Sequence, residues 1–244
     1  MVVQAAREIG DGEVVFVGMR LPLLAFALAK STHAPRATGL FEVGILRDAP
    51  ARQLLYTMSD APNVAGSSWC GSTSEAMALL AQGEVQLGFL GGAEVDRFGN
   101  LNTSYVGGYQ NPAVKLPGSG GAGDIASLAH RFVVVMEHQA RRLPERVAYI
   151  TSPGYGEGPG WRERMGLPRG GPAAIVTTKA VFEFDRERKC ALLRSYHPPL
   201  TIEDIRQDTG WKLELAPGCG PTPDPTPEEL EIIRRFDPEG FWTG

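Results

Sequence analysis

The chain has 244 residues, 43% of them hydrophobic and 21% charged, enough to bury a full core without disulfides and consistent with a single domain over 1–244. Its net charge of -4 at pH 7 argues against nucleic acid as a partner, since such proteins carry a basic excess or stripe. Cys70, Cys190 and Cys219 are widely spaced with no Cys-x-x-Cys pair, so neither a disulfide framework nor a zinc site is indicated. The N-terminus lacks a basic region followed by an apolar core, and no segment reaches the roughly 18 uninterrupted apolar residues of a membrane span. A cytoplasmic protein that is neither exported nor membrane-bound is expected.

Residues 13–18 predict a buried strand, and Leu21 to Lys30 an apolar helix opened by Pro22, which together begin a βαβ unit. A second cycle runs through a strand over 40–46 that carries Glu42 and breaks at Gly44. It continues through a helix near Thr73–Leu80 into a strand over 85–90. Further strands are expected over 132–136 and 147–151, followed by alternating strands over 174–178, 180–185 and 190–196 that bring antiparallel pairing into the sheet. Thr201 opens a short helix, 217–225 is a proline-rich connection, and Thr226-Pro227-Glu228-Glu229 is a capping-box start for a helix through Arg235. The expected fold class is α/β, an open and mainly parallel sheet with helices on both faces and some antiparallel strands near the C-terminus.

Glu42 stands in the run Leu40-Phe41-Glu42-Val43-Gly44-Ile45-Leu46, a lone carboxylate among apolar neighbours. A buried acid without a partner is costly, although an acid at a strand end that faces solvent or an arginine fits this segment equally well. The balance shifts with a second segment, Lys115 to Asp124, in which Gly118, Gly120, Gly121 and Gly123 free the backbone to hold an anion on its N–H groups. A carboxylate able to attack a carbonyl, with amides able to hold the resulting oxyanion, is the minimum kit for acyl transfer.

These two segments resemble the signature motifs of the β subunit of class I CoA transferases, the glutaconate CoA-transferase type in particular. Matching stretches in the same order are Val17-Gly18-Met19-Arg20-Leu21-Pro22, Gly91 to Asn100, and Thr151-Ser152-Pro153-Gly154 followed by Gly158-Pro159-Gly160. The resemblance covers nearly the whole chain. It implies a CoA transferase / NagB-like fold in which Glu42 is the covalent nucleophile and forms a glutamyl-CoA thioester. It also implies oxyanion donors at the backbone of Gly120 or Gly121, with a second contribution from the Gly18-Met19 turn. Coenzyme A then enters as a substrate in acyl-CoA form, no cofactor is bound, and the active site is completed by a separate α subunit. The alternative is a CoA thioester hydrolase or a C–C bond-cleaving relative in which Glu42 serves as general base.

Other candidates read more plainly. Glu94 and Asp96, beside Arg97, are expected as turn and salt-bridge groups, and Asn100 and Asn102 as turn residues. His33, His130, His138 and His197 show no metal spacing, so no metal site is expected. Cys70 is read as a small apolar filler. Val43 stands where relatives often show asparagine or serine. Arg20 and Tyr105 are the candidates for holding a distal carboxylate of the substrate.

Overall fold

The computed structural model describes residues 1–167 and 169–244. Two compact units emerge, one formed by Met1–Phe89 with Asp224–Gly244 and the other by Leu90–Pro223.

The first unit runs through α1 (Val2–Ala6), β1 (Val14–Phe16), α2 (Leu21–Ser31), β2 (Thr38–Phe41) and β3 (Ile45–Arg47). It continues with α3 (Ala61–Val64), β4 (Trp69–Cys70), α4 (Thr73–Gln82) and β5 (Leu87–Leu90). Its strands lie in the order β5-β1-β2-β3-β4. β1 pairs in parallel with both β2 and β5, while β3 and β4 are antiparallel additions. Val15, Phe16, Leu40 and Leu87 are buried on these strands, and α2 buries Leu24, Phe26 and Leu28. Gly39 makes that packing close: a Cβ there would sit 2.9 Å from the Phe26 ring. Pro22 lies in the first turn of α2, where its missing N–H costs nothing. α4 is fixed at both ends, by a Ser72–Glu75 capping box and by Gly83 in the left-handed region at φ 87°.

The second unit holds two small hairpins, β6 (Glu94–Val95) with β7 (Leu101–Asn102) and β8 (Tyr105–Val106) with β9 (Val114–Lys115). They are followed by α5 (Ala122–Leu128), β10 (Arg131–Met136), α6 (Trp161–Arg164), β11 (Pro172–Thr177), β12 (Ala180–Phe184), β13 (Ala191–Tyr196), α7 (Ile202–Gln207) and β14 (Leu215–Pro221). The larger strands run in the order β10-β11-β12-β13-β14. The outer pairs β10/β11 and β13/β14 are parallel, and β11/β12 and β12/β13 antiparallel. The chain then returns to the first unit with α8 (Pro227–Phe236), whose Thr226–Glu229 capping box is present as expected.

The α/β class, the open sheet and the antiparallel strands toward the C-terminus agree with the sequence reading. Three local expectations are corrected. The run over 40–46 is two antiparallel strands joined by a tight turn at Glu42-Val43-Gly44, because Gly44 takes φ 88° and reverses the chain. Residues 147–151 form no strand: the N–H groups of Val147 and Ala148 point at the carboxylates of Asp96 and Glu94, at 3.4 and 3.3 Å, instead of entering a ladder. The proline-rich stretch after Pro217 is largely β14, paired in parallel with β13.

Candidate active site

Glu42 occupies the first corner of a three-residue hairpin loop. The Gly44 N–H donates to the Phe41 carbonyl at 2.9 Å, and Phe41 pairs with Ile45 across the loop. Such loops demand a left-handed residue in third place, which Gly44 supplies. The turn is backed by a second backbone segment: the Gly71 N–H donates to the Gly44 carbonyl at 2.7 Å, immediately before the Ser72 cap of α4. Glu42 is half-buried, and among the described residues nothing donates a hydrogen bond to its carboxylate or forms an ion pair with it.

Gly18 and Met19 lie next to this turn. They follow β1, the parallel neighbour of β2, and the Val17 N–H donates to the Leu40 carbonyl at 2.8 Å, so the two strands leave the sheet side by side at their C-terminal ends. Ligands of open α/β sheets bind at such strand ends. A Cβ on Gly18 would make only ordinary contacts, 3.5 Å from Phe89 O and Pro22 Cγ, so packing does not demand a glycine there. The N–H groups of Gly18 and Met19 find no acceptor among the described residues. Arg20, next in line, is a non-glycine residue at φ 67° and ψ -126°, a glycine-like conformation that stores strain of roughly 1–3 kcal/mol. Its guanidinium lies over the Trp242 ring, 5.7 Å from the centroid.

In the second unit, the Gly118 N–H donates to the Thr103 carbonyl at 2.8 Å and the Leu116 N–H to the Ser104 carbonyl at 2.8 Å. The chain then turns through Gly120, at φ 50°, and Gly121, at φ -75°. Successive left- and right-handed residues point their N–H groups to one side, a geometry suited to an anion. Among the described residues the N–H groups of Gly120 and Gly121 have no acceptor. The structure therefore joins Glu42 to Gly18 and Met19 within one unit, and places Gly120 and Gly121 in the other.

Asp96 departs from its expected role. It is 1% exposed and makes no salt bridge with Arg97, whose guanidinium pairs with Glu145 at 2.9 Å. Its carboxylate instead accepts from Phe98 N–H at 2.9 Å, Asn100 N–H at 3.1 Å and the Asn100 side-chain amide at 3.0 Å. Burial pushes its pKa up, while the bonds from Asn100, Phe98 and Val147 oppose that shift. Asn100 is fully buried and crosses to the 154–156 segment, accepting from Gly154 N–H and Gly156 N–H at 3.0 Å and donating to Gly156 O at 2.8 Å. Glu94 accepts from the Asn102 amide at 2.7 Å. Asp96, Asn100 and Asn102 thus form a buried hub, whose partners lie up to 56 residues away in sequence. The Gly-Asn spacing of the segment is the only local signal for it.

Tyr105 packs edge-on against Tyr109 and Tyr149, with ring centroids 5.4 and 5.1 Å away. Cys70 is exposed rather than buried filler, because β4 is the edge strand of its unit, and its Sγ lies 2.9 Å from Ser67 Oγ. Among the described residues no group of His, Cys, Asp and Glu is arranged to hold a metal ion, and no helix is long and apolar enough to cross a membrane.

A family model described as coenzyme A transferase matches residues 1–208. The β subunit of the 3-oxoadipate CoA-transferase of Pseudomonas knackmussii is 37% identical over 238 residues, covering 97% of this chain and 91% of that protein. The β subunit of the glutaconate CoA-transferase of Acidaminococcus fermentans is 34% identical over 243 residues, covering 97% and 90%. The crystal structure of glutaconate coenzyme A-transferase from the same organism superposes with a TM-score of 0.93 at 31% identity, over 100% of this chain and 95% of that one.

Proposed function

We propose that this chain, which belongs to the coenzyme A transferase family, acts as the β subunit of a heteromeric CoA transferase with Glu42 as its covalent nucleophile. The observation that carries the assignment is the Glu42 carboxylate itself. It is half-buried, held on a rigid glycine turn at the end of a parallel strand, and left without a partner among the described residues. A structural acid in that setting would be expected to have a donor.

The chemistry follows from a free carboxylate and free amides. A Glu42 oxygen attacks the thioester carbonyl of an acyl-CoA, the C–S bond breaks, and an acyl-glutamyl anhydride and CoA thiolate result. The thiolate attacks the glutamyl carbonyl, giving the enzyme-CoA thioester and releasing the first acid as its carboxylate. A second carboxylate then attacks that thioester and the same steps run in reverse, so the second acid leaves as its CoA ester and Glu42 is regenerated. Each attack creates an oxyanion, for which the N–H of Gly120 or Gly121 is the assigned donor, with Gly18 and Met19 contributing the second. Water must be kept out, since it would hydrolyse the anhydride.

The names of the two curated relatives, one for 3-oxoadipate and one for glutaconate, support dicarboxylic acids as the acids exchanged. Both relatives are named as single subunits of their enzymes, which supports a separate α subunit as the obligatory partner. CoA is a substrate, no resident cofactor is required by these steps, and the assigned location is the cytoplasm.

The test is brief incubation of the reconstituted α–β complex with acyl-CoA and sodium borohydride, followed by peptide mass spectrometry. Reduction of a thioester at Glu42 is the expected result. An unmodified Glu42 in a complex that still consumes the thioester would overturn the assignment in favour of general-base hydrolysis or C–C cleavage.

A further inference from the structure

We infer that Thr151 is a positioning residue for the glycine turn at 118–121, holding the amides of Gly120 and Gly121 in place through the intervening residues Thr103 and Ser104. This rests on the transferase reading above, and every contact invoked lies within the second unit.

The Thr151 hydroxyl accepts from the Thr103 N–H at 2.9 Å and donates to the Ser104 hydroxyl at 2.8 Å. The opposite edge of the same two residues carries the glycine segment: Thr103 O accepts from Gly118 N–H, and Ser104 O from Leu116 N–H, both at 2.8 Å. Residues 103 and 104 are therefore held between one side chain and the loop. Thr151 is itself anchored, since its N–H donates to Leu101 O at 2.8 Å and Leu101 N–H donates to Ser152 O at 2.9 Å. Its carbonyl also backs the start of α5, at 3.7 Å from where a Cβ on Gly123 would stand.

The consequence for the turn follows from which N–H groups are used. Gly118 spends its N–H on Thr103 and takes φ 98°, which fixes the direction in which the chain enters Gly120 and Gly121. Those two amides keep their N–H groups available only while that entry direction holds. Without the Thr151 hydroxyl, the Thr103 N–H loses its acceptor and the segment that carries Gly118 loses its anchor. A displacement of about 1 Å in a reacting group is enough to cost on the order of a hundredfold in rate.

The experiment compares Thr151→Val, which keeps the shape and removes the hydroxyl, with Thr151→Ser, which keeps the hydroxyl, in the reconstituted α–β complex. For Thr151→Val, kcat is expected to fall roughly ten- to hundredfold per folded complex, with KM for acyl-CoA within about twofold of wild type. Borohydride-trapped Glu42 should form correspondingly more slowly, and Thr151→Ser should restore most of the rate. A merely structural hydroxyl would lower the unfolding midpoint and leave kcat per folded complex unchanged, which overturns the inference. If the wild-type complex transfers CoA and traps at Glu42 while Thr151→Val does so equally fast, the inference falls and the transferase reading stands. If the wild-type complex shows neither transfer nor trapping, the reading falls and takes this inference with it.

Discussion

Gly44 and Gly71 meet backbone to backbone. The Gly71 N–H donates to the Gly44 carbonyl at 2.7 Å, and a Cβ on Gly44 would stand 2.6 Å from the Gly71 carbonyl carbon. Nothing larger than hydrogen fits at position 44, and the turn that presents Glu42 is thereby pinned to the segment that caps α4.

Gly44→Ala is expected to damage both stability and activity. The left-handed φ of 88° costs an alanine about 1–2 kcal/mol, and the clash with backbone atoms adds to it, because backbone cannot swing aside as a side chain can. Urea unfolding of the purified chain should show a clear fall in midpoint. Transferase activity should fall further than the folded fraction does. An alanine variant of wild-type stability would mean that the Gly44–Gly71 contact is looser than described.

Arg20 offers the opposite sign. Its φ of 67° and ψ of -126° suit glycine, so Arg20→Gly relieves backbone strain, whereas Arg20→Ala keeps the strain and loses the stacking on Trp242. The glycine variant should be the more stable of the two, by about 1 kcal/mol or more. Equal unfolding midpoints would show that Arg20 is unstrained.

Asp96→Asn replaces a buried acceptor with a group that is half donor. The Asp96 oxygens accept from Phe98 N–H, Asn100 N–H, the Asn100 amide and Val147 N–H, so an NH2 group turned to either side faces a donor. A loss of about 1–3 kcal/mol is expected, although the substitution removes a charge whose burial is unfavourable. Chemical denaturation checks it, and a stabilised variant would mean that charge burial outweighs the bonds.

His138 gives the chain a pH dependence. The imidazole is 2% exposed and stacks against Phe182. Burial, helped by the nearby positive charge of Lys179 and opposed by Asp208, lowers its pKa from 6.5 to about 4. Between those values the unfolded chain binds the proton and the folded one does not, so stability rises with pH across that window. The contribution is fully present above pH 6.5 and lost by about pH 4. The span amounts to about 3 kcal/mol. The Thr177 hydroxyl donates to Ala180 O at 2.8 Å, so it accepts from His138 Nδ1 at 2.9 Å and the ring is held in one tautomer. Unfolding measured at pH 4.5 and 7 should show a smaller difference for His138→Gln than for wild type, and an unchanged difference would assign the pH effect to other groups.

Much of the fold is legible in local pattern. The period-two and period-3.6 runs predict β1, α2, α4, β5 and β10 to within a few residues, and the helices begin at Thr201 and Thr226 as expected, because periodicity and capping depend on near neighbours. The Glu42 run reads as one strand because its apolar residues continue on both sides of the turn. The stretch after Pro217 reads as a connection because its prolines and glycines mask a strand whose pairing with β13 comes from outside the segment. Residues 147–151 have strand-like composition, but carboxylates more than fifty residues away accept two of their N–H groups.

The candidate site divides along the same line. Sequence by itself determined that an acid stands one turn ahead of a glycine at a strand end and that a glycine-rich turn follows later in the chain, since a left-handed φ leaves its mark on residue type. Only the tertiary structure decided that the Glu42 carboxylate lacks a partner among the described residues, that Asp96 and Asn100 form a hub rather than surface turns, and that the Thr151 hydroxyl reaches Thr103. Hydrogen-bond satisfaction is settled by which distant segments are brought within about 3 Å of one another, and that distance is set by the packed fold rather than by any single stretch of chain.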